Sequence, residues 1–160
     1  MPDIYTKVTE APSQTLRALM AALELRAADP QQRAMLQTYL TDAAFPQGAR
    51  VLEVGCGTGA VTRVLATWPG MGETIGVDPS PVFLARAREL ASDLSTISFE
   101  EADGRSLPFP SNTFDAVVFH TTLCHVPDPE VALREAARVL RLGGRLLVFD
   151  GDYATATVAT

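Results

Sequence analysis

A short run of glycines after an apolar segment is the pattern in this sequence that most clearly indicates chemistry. Residues 51–54 read Val-Leu-Glu-Val, residues 55–59 read Gly-Cys-Gly-Thr-Gly, and Asp78 closes the next apolar run. Glycines in such a turn allow positive φ angles and let a ligand lie against bare backbone, while the amides that open the following helix point at it. An acidic residue at the end of the neighbouring strand can accept hydrogen bonds from both hydroxyls of a ribose. The spacing therefore predicts a site for a nucleoside-type cofactor.

The spacing of the glycines also narrows the choice of cofactor. A dinucleotide turn reads Gly-x-Gly-x-x-Gly, whereas residues 55–59 read Gly-x-Gly-x-Gly. The observed spacing therefore argues against a dinucleotide. Two interpretations of the turn nevertheless remain open beside another nucleoside-type cofactor: the turn binds NAD, or it serves only tight packing. Cys56 lies inside the turn, and we interpret it as a small packing residue rather than a reactive thiol.

Composition and charge limit the class of protein. The 160 residues contain 47% hydrophobic and 20% charged side chains, which indicates one globular domain with a substantial core. The formal net charge is −6, and no run of Lys or Arg occurs. This balance argues against nucleic acid and against an anionic membrane surface as partners.

The expected cellular location of the protein follows from the targeting and membrane-spanning segments that the sequence lacks. No apolar stretch reaches transmembrane length, and the first residues do not show the pattern of a signal peptide. The two cysteines, Cys56 and Cys124, make neither a disulfide framework nor a zinc set. We therefore expect a cytoplasmic protein without a metal site.

Apolar spacing predicts two helices before residue 48 and alternating strands and helices after it. Ser13 and Asp29 are the expected N-caps of the first two helices, and Ser80 and Asp128 those of two later ones. The pair Gly143-Gly144 is expected to stop the last helix. Continuous apolar strands that alternate with helices indicate an α/β fold, a doubly wound parallel sheet with helices on both faces. The expected strands are residues 51–54, 74–77, 97–99, 116–119 and 146–149.

Four further segments match one family in order and in spacing. Together with the glycine turn they resemble the class I S-adenosylmethionine-dependent methyltransferases, above all the type 11 domain of ubiquinone- and menaquinone-type methyltransferases. The resemblance covers roughly residues 48–150. It implies a Rossmann-like sheet of about five strands in the order 3-2-1-4-5, S-adenosyl-L-methionine as the cofactor, and a small-molecule methyl acceptor. The segments are residues 75–80, 101–109, 114–128 and 139–146.

The resemblance implies cofactor-binding roles for residues in several loops. Glu53 is expected to fix the methionine end, Asp78 to accept from the ribose hydroxyls, Asp103 to accept from the adenine amino group, and the carbonyl of His120 to receive the methionine ammonium. Structural alternatives stay open: a buried carboxylate for Glu53, a helix cap for Asp78 and a turn residue for Asp103. The full set that the resemblance implies is Glu53, Gly55, Cys56, Gly57, Gly59, Asp78, Pro79, Ser80, Asp103, Gly104 and His120.

A methyl group on a sulfonium is already electrophilic, so the enzyme mainly needs to align a nucleophile with it. His125, in Leu-Cys-His-Val-Pro-Asp, is the candidate general base. The alternative is a core or surface histidine, since nothing in the sequence reveals its partner.

The segment after the fourth strand bears on the class of acceptor. A nucleic-acid methyltransferase would be expected to carry Asn/Asp-Pro-Pro-Tyr/Phe there, whereas residues 120–123 read His-Thr-Thr-Leu. The absence of this motif therefore favours a small-molecule acceptor.

The sequence departs from the family pattern near its C-terminal end. Family members continue past the fifth strand into a helix and an antiparallel strand pair, whereas this chain ends ten residues after Asp150. We expect an N-terminal helical cap at residues 1–47 and a cofactor-binding domain at residues 48–160 without strands six and seven. The fifth strand would be an exposed edge that pairs with a second copy in a homodimer. Three explanations of the missing strands stay open: the chain is a fragment, a partner replaces the missing part, or the chain is a minimal binding module. The alternative to an enzyme is therefore a cofactor-binding or dimerising module without turnover.

Overall fold

The computed structural model describes residues 5–151, in which two helices precede an alternation of strands and helices. Within that range, no helix is long and apolar enough to cross a membrane. The elements are a 3₁₀ helix at Tyr5–Glu10, α1 Ser13–Ala28, α2 Pro30–Ala43, β1 Ala49–Val54, α3 Ala60–Ala66, β2 Met71–Asp78, α4 Pro81–Leu90, β3 Ile97–Glu101, β4 Phe114–His120, a 3₁₀ turn at Leu123–His125, α5 Pro129–Val139 and β5 Leu140–Phe149.

The five strands form one parallel sheet in the order β3-β2-β1-β4-β5, which confirms the predicted order. β1 lies at the centre, where Val54 pairs with Val77 of β2 on one side and with Phe119 of β4 on the other. β3 and β5 complete the sheet, again in parallel. Because all strands run in the same direction, the residues that follow β1, β2 and β4 meet at one edge of the sheet.

Helices cover both faces of the sheet, which confirms the doubly wound fold. On one face, α5 packs Ala136 against the strands, in a cluster that includes Phe119. On the other face, α2 and α3 pack Leu40 and Leu65 against β1 and β4, and α4 packs against Phe99 of β3. α2 is therefore part of the helical layer on the sheet.

The predicted N-caps differ in outcome. The Asp29 carboxylate accepts hydrogen bonds from Gln31 N at 2.9 Å and Gln32 N at 3.0 Å, and the Ser80 hydroxyl accepts from Phe83 N at 3.3 Å. The prediction for Ser13 was wrong by one position, because Pro12 occupies the N-cap and Ser13 begins α1. Asp128 occupies the predicted N-cap position, with Pro129 as the first residue of α5, but with φ 54° its side chain makes no capping hydrogen bond. Its carboxylate instead faces the Arg105 guanidinium at 3.8 Å.

The prediction that Gly143-Gly144 stops the last helix was wrong. α5 ends at Val139, and both glycines lie within β5. Amides from the loop before β4 explain the earlier end, since Asn112 N donates to Arg138 O at 3.1 Å and Thr113 N to Val139 O at 2.8 Å. These donors satisfy carbonyls that a C-terminal glycine motif would otherwise satisfy. The glycines instead lie where the β4–β5 register shifts.

β5 forms one edge of the sheet, as expected from the strand order. Leu146 and Val148 of this strand are 42% and 49% exposed. Exposed apolar side chains on an edge strand offer a surface for pairing with a further strand.

Candidate functional site

A cavity of about 910 Å³ lies where the glycine turn and the segments that follow β2, β3 and β4 meet, and residues of α1 and α2 line its other side. A volume of this size is at the upper end for small-molecule sites, which leaves room for more than one ligand. Ten of the residues predicted from the sequence line it: Glu53, Gly55, Cys56, Gly57, Asp78, Pro79, Asp103, Gly104, His120 and His125.

Two predicted cofactor residues, Gly59 and Ser80, are not among the residues that line the cavity. Gly59 is the N-cap of α3, with φ 74°. Ser80 is buried and caps α4. Both residues shape the turns on which the lining residues lie, and a direct cofactor contact for either stays a prediction.

The glycine turn crosses from β1 to α3 with its backbone close to β2. Gly55 N donates to Val77 O at 2.8 Å, and Gly57 N donates to Asp78 Oδ2 at 2.9 Å. Gly57 has φ 54°, and a Cβ built on it would lie 3.1 Å from Leu23 Cδ1 of α1. A side chain at this position would therefore meet both backbone strain and the helix above the turn.

The structure confirms the interpretation of Cys56 as a packing residue. It is buried in the cluster between α4 and β3 that contains Leu84 and Phe99. Burial raises the pKa of its thiol well above the ordinary value, and the nearby Glu53 and Asp78 carboxylates add to the shift. The thiol therefore stays protonated, which argues against a reactive role.

Asp78 joins the glycine turn to the turn before α4. Its Oδ1 accepts from Ser80 N and its Oδ2 from Gly57 N, both at 2.9 Å. Burial raises the pKa of this carboxyl to about 6, against the lowering effect of the two amides. A carboxylate has lone pairs beyond those two, so each oxygen retains capacity for a further donor from the cavity.

Glu53 is a buried carboxyl at the end of β1. Its Oε2 accepts from the Thr62 hydroxyl of α3 at 2.5 Å. Burial raises its pKa to about 8, the Thr62 hydrogen bond opposes the shift, and the charge of Asp78 adds to it. The group is therefore largely protonated at neutral pH in this structure, and a cationic ligand would favour its ionised form.

Two backbone carbonyls converge on Thr122, a residue that sequence analysis missed. Its hydroxyl lies 3.3 Å from Gly55 O and 3.2 Å from His120 O. A group that donates several hydrogen bonds, such as an ammonium, can satisfy both carbonyls at once. No local pattern indicates this arrangement, because it depends on the pairing of β1 with β4.

The Asp103 carboxylate accepts several hydrogen bonds from Arg105. The Arg105 amide and Nε donate to Asp103 Oδ1 at 2.8 and 3.0 Å, and its Nη2 donates to Oδ2 at 2.7 Å. The guanidinium holds the pKa of Asp103 below its usual value. Gly104 lies tightly against β1, since a Cβ there would lie 2.7 Å from Val54 Cγ1. An adenine amino group can therefore bind Asp103 only if it shares the carboxylate with this guanidinium or displaces it.

α1 is tied to the glycine turn by Glu24, which sequence analysis also missed. Thr58 Oγ1 donates to Glu24 Oε1 at 2.6 Å, and Arg63 Nη2 donates to Glu24 Oε2 at 2.8 Å. Arg63 Nη1 also donates to Thr58 O at 2.9 Å. The pattern of α1 predicted its apolar stripe but gave no signal for a polar residue whose partners lie 34 and 39 positions away.

Comparison with known proteins identifies the family. A family model described as a methyltransferase domain matches residues 52–148. The chain belongs to this methyltransferase domain family. The matched residues run from β1 through β5 and include the glycine turn, Asp78 and the residues that follow β4.

Similar proteins carry methyltransferase names. The chain is 38% identical over 117 residues to an uncharacterized methyltransferase of Schizosaccharomyces pombe, covering 68% of this chain and 42% of the relative. It is 40% identical over 106 residues to a demethylmenaquinone methyltransferase of Bacillus licheniformis, covering 66% and 46%. A crystal structure from Thermotoga maritima, described as a SAM-dependent methyltransferase and possible histamine N-methyltransferase, is 34% identical, with a TM-score of 0.57 over 71% of this chain and 48% of that chain. The chain spans about half the length of the curated relatives it matches.

The other half of this methyltransferase domain's cavity, beyond the end of β4, is lined by side chains of a different kind, among them Arg26 and His120. The His120 ring stacks on Phe149 with centroids 5.0 Å apart, and its Nδ1 lies 2.7 Å from the Tyr39 hydroxyl of α2. Burial lowers the pKa of His120 to about 4, and the nearby charge of Arg26 adds to the shift. Arg26 Nη2 in turn donates to Thr121 Oγ1 at 2.7 Å.

His125, the predicted general base, lies in the 3₁₀ turn after β4 and lines the cavity. Its ring stacks in a tilted arrangement on Tyr5, with centroids 4.6 Å apart. The structure therefore places this histidine where it can contact a ligand. Its role as a base stays a prediction.

Proposed function

We propose that this chain carries the catalytic core of an S-adenosylmethionine-dependent methyltransferase that transfers a methyl group to a small-molecule acceptor. The observation that carries the proposal is the geometry of Asp78, whose buried carboxylate is fixed by the amides of Gly57 and Ser80 with further lone pairs free for a ribose. Family membership and the names of the relatives support the same activity.

The residues present fit this cofactor from end to end. Asp78 would accept from the ribose hydroxyls, and Gly57 would let the chain of the cofactor pass close to the backbone. The converging carbonyls of Gly55 and His120 would receive the methionine ammonium, with the ionised Glu53 nearby. Pro79, Asp103 and Gly104 would surround the adenine. Asp103 would then share its carboxylate between the adenine amino group and Arg105.

The bound cofactor supplies an electrophilic methyl group on a sulfonium. The task of this chain is to hold a nucleophile in line with that group and to exclude water. α1 lies over the glycine turn through Glu24 and closes the cavity on that side. His125 would take a proton from an acceptor that must lose one.

Several finer properties belong to the same proposal. We infer a cytoplasmic location and no nucleic-acid partner, on the net charge of −6 and the absence of a run of basic residues. We also propose an N-terminal helical cap at residues 1–47 on a cofactor-binding domain at residues 48–160, and a homodimer that forms through the β5 edge. Sedimentation velocity over a range of concentrations tests the dimer, and a monomer at all concentrations would contradict it.

Calorimetric titration of the chain with S-adenosylmethionine, S-adenosylhomocysteine and NAD tests the proposed cofactor. We expect binding of the first two and none of NAD. Binding of NAD alone would overturn the proposal. Tight binding of S-adenosylmethionine with no methyl transfer to any acceptor would select the alternative, a binding module without turnover.

A further inference from the structure

The cofactor-binding residues proposed above account for one half of the cavity, at the ends of β1, β2 and β3. The half beyond the end of β4 is lined by Arg26, His120 and Thr121, and the side chains of these residues are not among the groups proposed to bind the cofactor. We infer that these three side chains form a site for an anionic oxygen of the methyl acceptor, namely that of a carboxylate. This inference rests on the proposed function.

Arg26 is a cation fixed in place but not neutralised. Its Nη2 donates to Thr121 Oγ1 at 2.7 Å, and Thr121 is itself held by the bond from its amide to Phe149 O at 2.6 Å. Among residues 5–151, Arg26 makes no ion pair with a carboxylate. The guanidinium therefore has N–H donors left for a ligand, in a fork that suits an anionic oxygen.

His120 supplies a second donor because Tyr39 fixes its tautomer. Burial raises the pKa of the Tyr39 hydroxyl, so the phenol keeps its proton. Within the described part of the chain, the hydroxyl has no partner other than His120 Nδ1, and we assign the phenol as the donor. The neutral imidazole then carries its hydrogen on Nε2, the nitrogen that remains for a ligand. With a pKa of about 4, His120 donates a hydrogen bond at neutral pH and is a poor base.

The charges around this half of the cavity favour an anion. Arg33 also lines the cavity, and its Nε donates to a carbonyl, Ala27 O, at 3.1 Å. The opposing charge is Asp150, which acts on His120. Its two oxygens accept from Cys124 N and Gly151 N, both at 3.0 Å. Elsewhere in the cavity, Arg63 and Arg105 are paired with the carboxylates of Glu24 and Asp103. Among the described residues that line the cavity, Arg26 and Arg33 are therefore the arginines without a carboxylate partner.

The methionine carboxylate of the cofactor is the second possible source of an anionic oxygen. The acceptor is favoured because the Arg26 guanidinium is held at Thr121, the residue that follows β4, rather than at the glycine turn. The test must therefore separate the two sources.

The first arm of the test measures selectivity for an anion. The chain saturated with S-adenosylhomocysteine is titrated with 4-hydroxybenzoate and with its neutral analogue 4-hydroxybenzamide. We expect tighter binding of the benzoate, and a loss of about tenfold in its affinity on Arg26→Gln with the benzamide unaffected. Arg17→Gln, an exposed arginine of the same helix outside the cavity, is the matched control and should change neither affinity.

The second arm compares S-adenosylhomocysteine with methylthioadenosine, which lacks the amino acid. We expect Arg26→Gln to change neither affinity by more than about twofold. A loss confined to S-adenosylhomocysteine would assign Arg26 to the cofactor carboxylate and overturn the inference. Equal binding of the two benzoic acid derivatives, or no binding of either, would also overturn it while the proposed function stands. Failure of the wild-type chain to bind S-adenosylhomocysteine would overturn the proposed function and, with it, the inference.

Discussion

The half of the cavity at the ends of β1 and β2 is built from the glycine turn and from buried carboxyls, whereas the half beyond the end of β4 is lined by the Arg26 guanidinium and the His120 ring. In the first half, Gly57 and Asp78 lie on consecutive segments and contact each other directly. In the second, Arg26 reaches Thr121 across 95 positions of the chain, and Tyr39 reaches His120 across 81. One half depends on local chain geometry and the other on how the N-terminal helices pack against the sheet.

The largest expected effect is the loss of Asp78 in the first half. Asp78→Ala removes the acceptor for the ribose hydroxyls and for the amides of Gly57 and Ser80, so we expect a loss of roughly 1–3 kcal/mol in the binding of S-adenosylmethionine. Calorimetric titration measures it. Asp42→Ala, on an exposed part of α2, is the control and should bind normally. If the Asp78 variant binds as tightly as the wild type, the ribose assignment is wrong.

The second prediction concerns pH and the two buried carboxyls of the same half. The pKa values of Glu53 and Asp78 in the folded chain, about 8 and about 6, lie above their ordinary values. The folded state therefore binds more protons than the unfolded state from about pH 4 to 8, and the free energy of unfolding must fall as the pH rises through this window. Between pH 6 and 8 we expect Glu53 to account for a fall of about 2 kcal/mol.

Urea unfolding at several pH values, without cofactor, measures this slope. Glu53→Gln should flatten it, because the amide has no proton to lose, whereas Glu100→Gln, on an exposed position of β3, should leave it unchanged. A steep slope that persists in Glu53→Gln would show that this carboxyl is not the group that titrates.

The third prediction separates backbone strain from ligand contact. Gly57 and Gly48 both have positive φ angles, 54° and 73°, but a Cβ on Gly48 would meet nothing within 4 Å. Alanine at either position should cost about 1 kcal/mol of stability through strain. Only Gly57→Ala should also weaken the binding of S-adenosylmethionine, by about tenfold, because its methyl group would enter the cofactor's path. Equal affinities in the two variants would mean that the turn does not face the ligand.

Much of the first half could be predicted from the sequence, and little of the second. Local patterns found the glycine turn and the caps at Asp29 and Ser80, and the family resemblance supplied the strand order. The same Asp-Pro pattern found the start of α5 at Asp128 but not the contact of its side chain, because that carboxylate faces Arg105 instead of the helix amides. The sequence did not predict the roles of Thr122, Glu24 and Arg26 for a similar reason. Local spacing fixes the element on which a side chain lies but not its tertiary partner.

The smallest expected effect tests whether one helix serves both halves. Glu24 and Arg26 are two positions apart on α1, so they do not share a helix face: Glu24 binds Thr58 and Arg63 beside the glycine turn, and Arg26 binds Thr121 after β4. Glu24→Gln removes the ion pair with Arg63, so we expect S-adenosylmethionine to dissociate about threefold faster.

Stopped-flow dissociation measures this rate. Glu130→Gln, which removes an exposed pair with Arg134 on α5, is the control for a lost surface ion pair, and Arg26→Gln should leave the rate unchanged. Faster dissociation in both α1 variants would show that α1 acts as one rigid cover over the cofactor. Faster dissociation in Glu24→Gln alone would confirm that two side chains of one helix act on separate ligands.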